Sequence, residues 1–262
     1  LKEAQELADG GVKELILVAQ ETTMYGTDLY GEKRLPQLLR ELCKINGLRW
    51  IRILYCYPEE ITDELIQVIK EEPKICHYLD LPIQHASDGI LKRMGRRTSK
   101  EQLIETIEKL RREIPDIALR TTLITGFPGE TQEQHEELMD FVDQMEFDRL
   151  GVFTYSPEED TPAASMPDQI PEEVKEDRQA ELMELQQDIV FDQAEDRIGE
   201  ELLVMIEGKV ADENAYVGRT YRDAPNVDGL IFVNTSEELM SGDFARVKVT
   251  GSADYDLIGE LL

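Results

Sequence analysis

The first 155 residues show two apolar patterns that alternate along the chain. Short β-branched runs predict strands at 14–18, 50–55, 78–83, 117–125 and 150–155. Apolar residues spaced three to four positions apart predict helices at 2–8, 35–45, 62–71, 100–113 and 131–145. Alternating strands and helices predict an α/β fold with a parallel sheet, closed into a full or partial (β/α) barrel. Its ligands are expected at the carboxyl ends of the strands.

The pattern changes after residue 155. A loop rich in proline and acid, 157–171, leads into a long polar helix at 172–196. Five short strands separated by turn residues follow, at 202–210, 216–221, 230–234, 244–250 and 255–261. They predict a small antiparallel, OB-like β-barrel. Two domains are therefore expected, 1–196 and 197–262.

Composition and charge narrow the choice of partners. The 262 residues are 41% apolar and 32% charged, as in soluble globular proteins, and no apolar run is long enough to cross a membrane. The net charge of -28 opposes binding to nucleic acid or anionic lipid and favours a basic partner. Cys43, Cys56 and Cys76 form no Cys-x-x-Cys pair, so we expect buried thiols in a reducing cytoplasm and no metal site.

The segment 120–131, RTTLITGFPGET, combines a strand with a glycine-rich turn and a helix start. Gly126 and Gly129 can adopt positive φ and carry no side chain, while Pro128 fixes the turn. If the helix after Thr131 begins with free N–H groups, a flat or anionic small molecule can lie against this backbone. An ordinary strand-to-helix turn is the structural alternative.

Four segments together resemble the radical S-adenosylmethionine methylthiotransferases. They are VAQETTMYG at 18–26, LPIQHASDGILKRMGR at 81–96, the turn segment above, and FTYSPEEDTPAA at 153–164. The closing barrel resembles the TRAM domain of that family, and DAPNVDG at 223–229 resembles the branch that modifies a ribosomal protein. The resemblance implies a radical-SAM-type partial barrel.

One family feature is missing. Family members carry a Cys-x-x-x-Cys-x-x-Cys loop after the first barrel strand, which holds a 4Fe-4S cluster. This chain lacks that loop and is expected to be a C-terminal fragment of an enzyme that holds two 4Fe-4S clusters elsewhere. We therefore expect the chain alone to be inactive and to assemble no catalytic cluster.

The resemblance implies that the cluster cleaves S-adenosylmethionine to a 5′-deoxyadenosyl radical, while protein side chains position cofactor and substrate. No catalytic side chain is identifiable in this chain, in keeping with chemistry that belongs to the cofactors. The residues expected to bind the cofactor are Gln20, Glu21, Arg120, Thr122, Gly126, Phe127, Pro128, Gly129, Tyr155 and Ser156. Those expected to bind the substrate are Gln84, His85, Arg93 and Arg96.

Several of these assignments have structural alternatives. Gln20 and Glu21 are equally consistent with a turn that enters a helix. Arg120 lies in an apolar run and needs a carboxylate, either that of the cofactor or Asp80 on the neighbouring strand. His85 is as consistent with a satisfied loop histidine as with a substrate contact. The basic cluster that includes Arg93 and Arg96 is consistent with a solvated helix face or with a contact to substrate or cofactor.

The leading function implied by the resemblance is methylthiolation of an aspartate on small-subunit ribosomal protein twelve. The alternatives are a tRNA adenosine methylthiotransferase and a non-catalytic binding module. From residue 197 onward the chain has six basic and thirteen acidic residues, which favours a basic ribosomal protein over tRNA. Replacing Gly126 with valine is expected to block the cofactor and leave the fold intact.

Overall fold

The computed structural model describes residues 1–262. Five parallel strands form one sheet in the order β1-β2-β3-β4-β5. They are β1 (Glu14–Leu17), β2 (Trp50–Ile53), β3 (Ile75–Asp80), β4 (Ala118–Thr125) and β5 (Arg149–Thr154). Consecutive strands are neighbours throughout, so all carboxyl ends lie at the same edge of the sheet. The sheet does not close on itself, which confirms the prediction of a partial barrel.

Helices cover one face of this sheet. They are α1 (Lys2–Asp9), α2 (Thr27–Tyr30), α3 (Leu35–Cys43), α4 (Asp63–Glu71), α5 (Asp88–Arg93), α6 (Lys100–Glu113), α7 (Gln132–Met145) and α8 (Glu172–Asp196). Their apolar sides pack on alternate strand residues, such as Ile51, Leu79 and Leu119, in a cluster of 35 buried residues. No helix combines the length and apolar character that crossing a membrane requires.

One predicted strand is shifted in the structure, and the short helices α2 and α5 were not predicted. The third strand was expected at 78–83 and runs from Ile75 to Asp80. Pro82 has no N–H, so the ladder with β4 breaks there, and the chain rejoins β4 at Gln84. The short helix α5 was not predicted, because Gly89 and Gly95 within and after it masked the helical pattern.

Helix α8 protects the free edge of β5. Its Lys175 Nζ donates to the carbonyl oxygen of Tyr155 at 2.8 Å, and Gln179 Nε2 donates to that of Val152 at 2.6 Å. These side chains occupy carbonyls that an edge strand would otherwise offer to another chain. The long polar helix is therefore part of the sheet domain.

The last 62 residues form a closed five-stranded barrel of order β10-β8-β7-β6-β9. Its strands are β6 (Glu201–Lys209), β7 (Ala215–Arg219), β8 (Ile231–Asn234), β9 (Phe244–Ala253) and β10 (Asp256–Leu261). Four of the five pairs are antiparallel, as predicted, but β8 and β10 pair in parallel and close the barrel. A core of eight buried residues fills it.

The barrel packs on the face of the sheet opposite the helices. Trp50 and Tyr78 from the sheet join Met205 and Ala224 from the barrel in one buried cluster. Buried ion pairs reinforce the contact, and the carboxylate of Glu14 in β1 binds both Arg52 of β2, at 2.7 Å, and Arg219 of β7, at 2.6 Å. The two domains therefore share apolar and charged contacts.

Candidate functional site

A cleft of about 560 Å³ opens at the carboxyl ends of β3, β4 and β5. Its size falls within the range of small-molecule sites. Six residues predicted for the site line it: Gln84, Arg93, Arg96, Phe127, Tyr155 and Ser156. Three of the four segments that carried the resemblance thus meet in one cavity, whereas segment 18–26 lines another one beside β1.

One wall of the cleft is aromatic and apolar. Phe127 and Tyr155 are both buried, and their rings meet edge to face with centroids 5.2 Å apart. Ile124 packs beside them. The hydroxyl oxygen of Tyr155 is buried without a hydrogen-bond partner. A flat ring that carries polar atoms would find both stacking surface and a hydrogen-bonding group here.

Gln84 enters the cleft from a strained backbone. Its φ of 71° lies in the left-handed region, which residues other than glycine seldom adopt. The strain is held by β4, because Gln84 N donates to Thr122 O at 2.9 Å and Gln84 O accepts from Ile124 N at 2.8 Å. The side-chain oxygen Oε1 is buried and has no partner. Thr122 therefore contributes to the cleft through its backbone carbonyl, which accepts from Gln84 N and so fixes the position of Gln84.

Two guanidinium groups line the cleft without a carboxylate. Arg120 and Arg178 each pair with a buried carboxylate, whereas Arg93 and Arg96 form no ion pair. The guanidinium of Arg96 donates to the carbonyl of Pro82 and lies 4.6 Å from the ring centroid of Tyr57, while its Nε is buried without a partner. In a chain of net charge -28, unpaired cations in a cleft indicate an anionic ligand group.

Glu21 lies outside the cleft, in the cavity beside β1, and is connected to Arg96 through Tyr57. Its Oε1 accepts from Thr23 N at 3.0 Å and from Tyr57 N at 3.3 Å, whereas its Oε2 is buried without a partner. Tyr57 thus contacts Glu21 through its backbone and Arg96 through its ring. Gln20 is exposed and forms no such contact. A carboxylate oxygen and a guanidinium Nε that both lack partners and belong to residues in contact with one tyrosine complement an amino-acid zwitterion.

Tyr57 was not among the predicted site residues. Its position at the end of β2 was the available signal, since ligands gather at strand ends. Nothing in the local sequence indicates that its ring meets Arg96, 39 residues further on.

The glycine-rich turn does not leave its N–H groups free, so that expectation was wrong. Gly126 N donates to Glu130 Oε2 at 2.8 Å, and Gly129 N donates to Asp168 O at 2.8 Å. Thr131 and Gln134 form a capping box at the start of α7. The N–H groups of both glycines are thus already used by this chain.

Side chains of this chain also cover the turn's two glycines. Both have positive φ, and a Cβ added to Gly126 would lie 2.2 Å from Lys175 Cγ. A Cβ added to Gly129 would lie 1.9 Å from Arg93 Nη1. The absence of side chains at the two glycines therefore leaves space that Lys175 and Arg93 occupy. Pro128, between the glycines, is buried. The expected valine at Gly126 would meet α8 and not a ligand.

We accordingly expect Gly126→Ala to destabilise the fold by about 1–3 kcal/mol, from left-handed strain and from the clash with Lys175. Gly95→Ala is the matched control, because Gly95 has φ +74° but nothing within 4 Å of an added Cβ. Chemical denaturation of both variants measures the difference. Equal losses would show that Lys175 does not occupy this space.

Glu130 anchors the turn from within. It is 3% exposed, and its Oε1 accepts from Arg178 Nη1 at 2.9 Å. Burial alone would raise the pKa of Glu130, but hydrogen bonding and charge from His85, the charge of Arg178 and the N–H of Gly126 lower it below its usual value. The carboxylate is thus ionised and structural.

His85 belongs to this buried network. It is fully buried, its Nδ1 accepts from Ser87 N at 2.9 Å, and its Nε2 lies 3.5 Å from Glu130 Oε2. His85 does not line the cleft, and its Nε2 has no hydrogen-bond partner although Glu130 lies beside it. The structure favours the structural alternative, and the assignment to the substrate stays a prediction.

Arg120 finds its carboxylates within the protein. Its Nη1 donates to Asp80 Oδ1 at 3.0 Å, and its Nε lies 3.3 Å from Asp228 Oδ1 of the barrel. Asp80, the structural alternative, is the partner that the apolar run required. Arg120 does not line the cleft.

The three cysteines lie on separate elements. Cys43 ends α3, Cys56 follows β2 and Cys76 is in β3. Burial raises the pKa of Cys43 to about 11 and that of Cys76 to about 12, and it also raises the pKa of Cys56. Thiols that resist ionisation are poor metal ligands. That the chain assembles no cluster by itself stays a prediction.

Comparison with known proteins gives two matches to family models. Residues 1–142 match the radical SAM superfamily, and residues 198–262 match the TRAM domain. Among solved structures, coproporphyrinogen III oxidase (HemN) from Escherichia coli, a radical SAM enzyme, superposes with a TM-score of 0.52 at 20% identity. The match covers 73% of this chain and 44% of that one. This likeness shows the fold.

Curated relatives are more similar in sequence. The ribosomal protein uS12 methylthiotransferase RimO of Lachnoclostridium phytofermentans is 67% identical over 99% of this chain. The protein of the same name from Desulfitobacterium hafniense is 52% identical over 100% of it. The chain spans 59% of the length of each of these relatives.

Proposed function

Since this chain belongs to the radical SAM superfamily, we propose that it is part of a methylthiotransferase that modifies ribosomal protein uS12 and binds S-adenosylmethionine in the strand-end cleft. The observation that carries the proposal is the 67% identity to a uS12 methylthiotransferase over 99% of the chain. An aspartate of uS12 is the proposed acceptor. The enzyme would act in the cytoplasm, where ribosomal proteins are assembled.

Four residues that line the cleft, together with Glu21 in the neighbouring cavity beside β1, fit the parts of S-adenosylmethionine. Phe127 and Tyr155 form the apolar wall for adenine, and the unpaired Tyr155 hydroxyl and Gln84 Oε1 face its polar atoms or the ribose. Arg96 binds the carboxylate of the methionine part, and Glu21 Oε2 accepts from its ammonium group. Each of these protein atoms lacks a partner within the chain, which is what a ligand site requires.

The cofactor, when cleaved at an iron–sulfur cluster, supplies the radical chemistry after which the superfamily is named. This chain's residues bind and orient it. The buried rings of Phe127 and Tyr155 keep water from the adenosyl group, and Arg96 and Glu21 fix the other end of the molecule. Arg93, which packs over Gly129 at the rim of the cleft, is placed to contact either cofactor or substrate.

The surface charge of the barrel supports a basic protein as the substrate. Of the six basic residues from residue 197 onward, Arg219 and Arg222 are buried in ion pairs with the sheet domain. Asp223 and Asp228 are buried in ion pairs with the sheet domain as well, so the part of the barrel that faces solvent keeps the acidic excess of the sequence count. Such a surface attracts a cationic ribosomal protein and repels the phosphates of tRNA.

The proposal is tested by incubating the full-length protein, anaerobically reconstituted with iron and sulfide, with S-adenosylmethionine, dithionite as electron donor, excess sulfide as sulfur source, and either isolated uS12 or tRNA. We expect the mass of one uS12 peptide to rise by a methylthio group that replaces hydrogen, with tRNA unchanged. Modification of tRNA alone, or of neither substrate by a protein that cleaves S-adenosylmethionine, would contradict it.

A further inference from the structure

A loop of the terminal barrel, residues 223–229, reaches into the face of the sheet. Its Asp228 is 2% exposed at the side chain, and Oδ2 accepts from Tyr78 Oη at 2.7 Å and from Ala224 N at 2.8 Å. The other oxygen, Oδ1, lies 3.3 Å from Arg120 Nε. One barrel carboxylate is thus fixed by its own loop and by two strands of the sheet.

Arg120 connects this carboxylate to a second one. Its guanidinium bridges Asp228 and Asp80, whose side chain is 3% exposed. Burial alone would lower the pKa of Arg120, but Asp80, Tyr78 and Asp228 raise it, so the bridge stays charged. Removing either carboxylate would leave the guanidinium half-compensated and free to reorient.

Asp80 in turn holds the backbone that follows β2. Its Oδ2 accepts from Tyr55 N at 3.1 Å, and Tyr55 has a φ of 57°, in the left-handed region that aromatic residues seldom adopt. Tyr55 O accepts from Thr22 N at 2.9 Å, which ties the end of β2 to the end of β1. Two residues further on, Tyr57 contacts Glu21. A strained backbone conformation persists only where surrounding contacts stabilise it, and the hydrogen bond from Tyr55 N to Asp80 is one of these contacts.

We propose that Asp228 is a positioning residue for the strand-end site. Through Arg120 and Asp80 it holds Tyr55, and with Tyr55 the ends of β1 and β2, in the observed arrangement. That this arrangement serves ligand binding rests on the proposed function. The positioning of Tyr55 by Asp228 is independent of the proposed function, and the experiment tests this positioning.

The chain offers a matched control in Asp223. This residue lies in the same barrel loop, is equally buried, and pairs with a sheet arginine, Arg149 of β5. It makes no contact with Asp80 or Arg120. A general loosening of the domain interface would affect both aspartates alike, whereas the proposed path runs through Asp228 alone.

The test is hydrogen–deuterium exchange of the ligand-free protein, resolved to the Tyr55 amide, in Asp228→Asn and Asp223→Asn. We expect Asp228→Asn to speed exchange at Tyr55 about tenfold. The loss of the Asp228 charge lets Arg120 reorient, which weakens the hydrogen bond that Asp80 accepts from Tyr55 N. Asp223→Asn should leave Tyr55 within about twofold of the parent protein. Amides of β9, in the barrel core, report whether the barrel itself stays folded.

Arg120→Lys provides a second route, because a lysine keeps the charge but lacks the planar fork of donors with which Arg120 reaches Asp80 through Nη1 and Asp228 through Nε. It should speed exchange at Tyr55 in the same way, and it decides the question if Asp228→Asn does not fold. Equal exchange at Tyr55 in the Asp228 and Asp223 variants, or unchanged exchange in Arg120→Lys, would overturn the proposal. Because no cofactor or substrate is added, failure here is distinct from failure of the proposed function.

Discussion

Replacing Glu14 with alanine is expected to destabilise the protein by about 3–5 kcal/mol. Glu14 is the shared carboxylate of two arginines that are almost completely buried, Arg52 at 0% and Arg219 at 2% exposure. Without it, Arg52 in the sheet loses its only carboxylate partner, and Arg219 in the barrel keeps only the partly exposed Glu207. The loss is large because the charges cannot return to water without separating the two domains.

Equilibrium unfolding in urea measures this effect. Glu14→Gln keeps the shape of the side chain and removes its charge, so it should show most of the loss. Glu64→Ala is the control, because the pair between Glu64 and Arg40 is 2.8 Å long but exposed, and it should cost less than about 1 kcal/mol. Similar losses in Glu14→Ala and Glu64→Ala would show that the buried triad does not stabilise the domain contact.

The second large effect concerns ligand binding. Arg96→Ala should weaken the affinity of the full-length protein for S-adenosylhomocysteine, which shares the carboxylate of the cofactor, by about 10- to 150-fold. The reason is that Arg96 brings an unpaired guanidinium into the cleft, with no carboxylate of this chain to compensate it. Calorimetry with this non-reacting ligand measures the change without turnover.

Arg97→Ala is the matched control for this experiment. Arg97 is exposed and does not line the cleft, although it is the next residue and carries the same charge. Its loss should change the affinity less than about twofold, as expected for a screened surface charge. If Arg97→Ala weakened binding as much as Arg96→Ala, the effect would come from overall charge and not from a contact in the cleft.

The sequence predicted features that depend on local signals. Helix α6 begins and ends where its periodicity and the Ser99–Gln102 capping box place it. The strand ends were also predicted well enough to bring Gln84, Phe127 and Tyr155 into one cleft, because parallel strands place their carboxyl ends at one edge.

Features that depend on long-range packing were not predictable. Lys175 fills the space beside Gly126, although it lies 49 residues later in the chain, only because α8 packs along β5. Arg120 pairs with Asp228 across the contact between the two domains, which the periodicity of apolar residues along the chain does not indicate. The glycine-rich turn was therefore expected to present bare backbone to a ligand, whereas the structure uses its N–H groups internally.

The most direct measurement for the central claim is a crystal structure of the full-length protein with S-adenosylmethionine bound. The account predicts adenine against Phe127 and Tyr155, and the methionine carboxylate within hydrogen-bond distance of Arg96. Glu21 Oε2 should accept from the ammonium group. A cofactor bound away from these residues, with Gln84 Oε1 and Arg96 Nε still without partners, would contradict the assignment of the cleft.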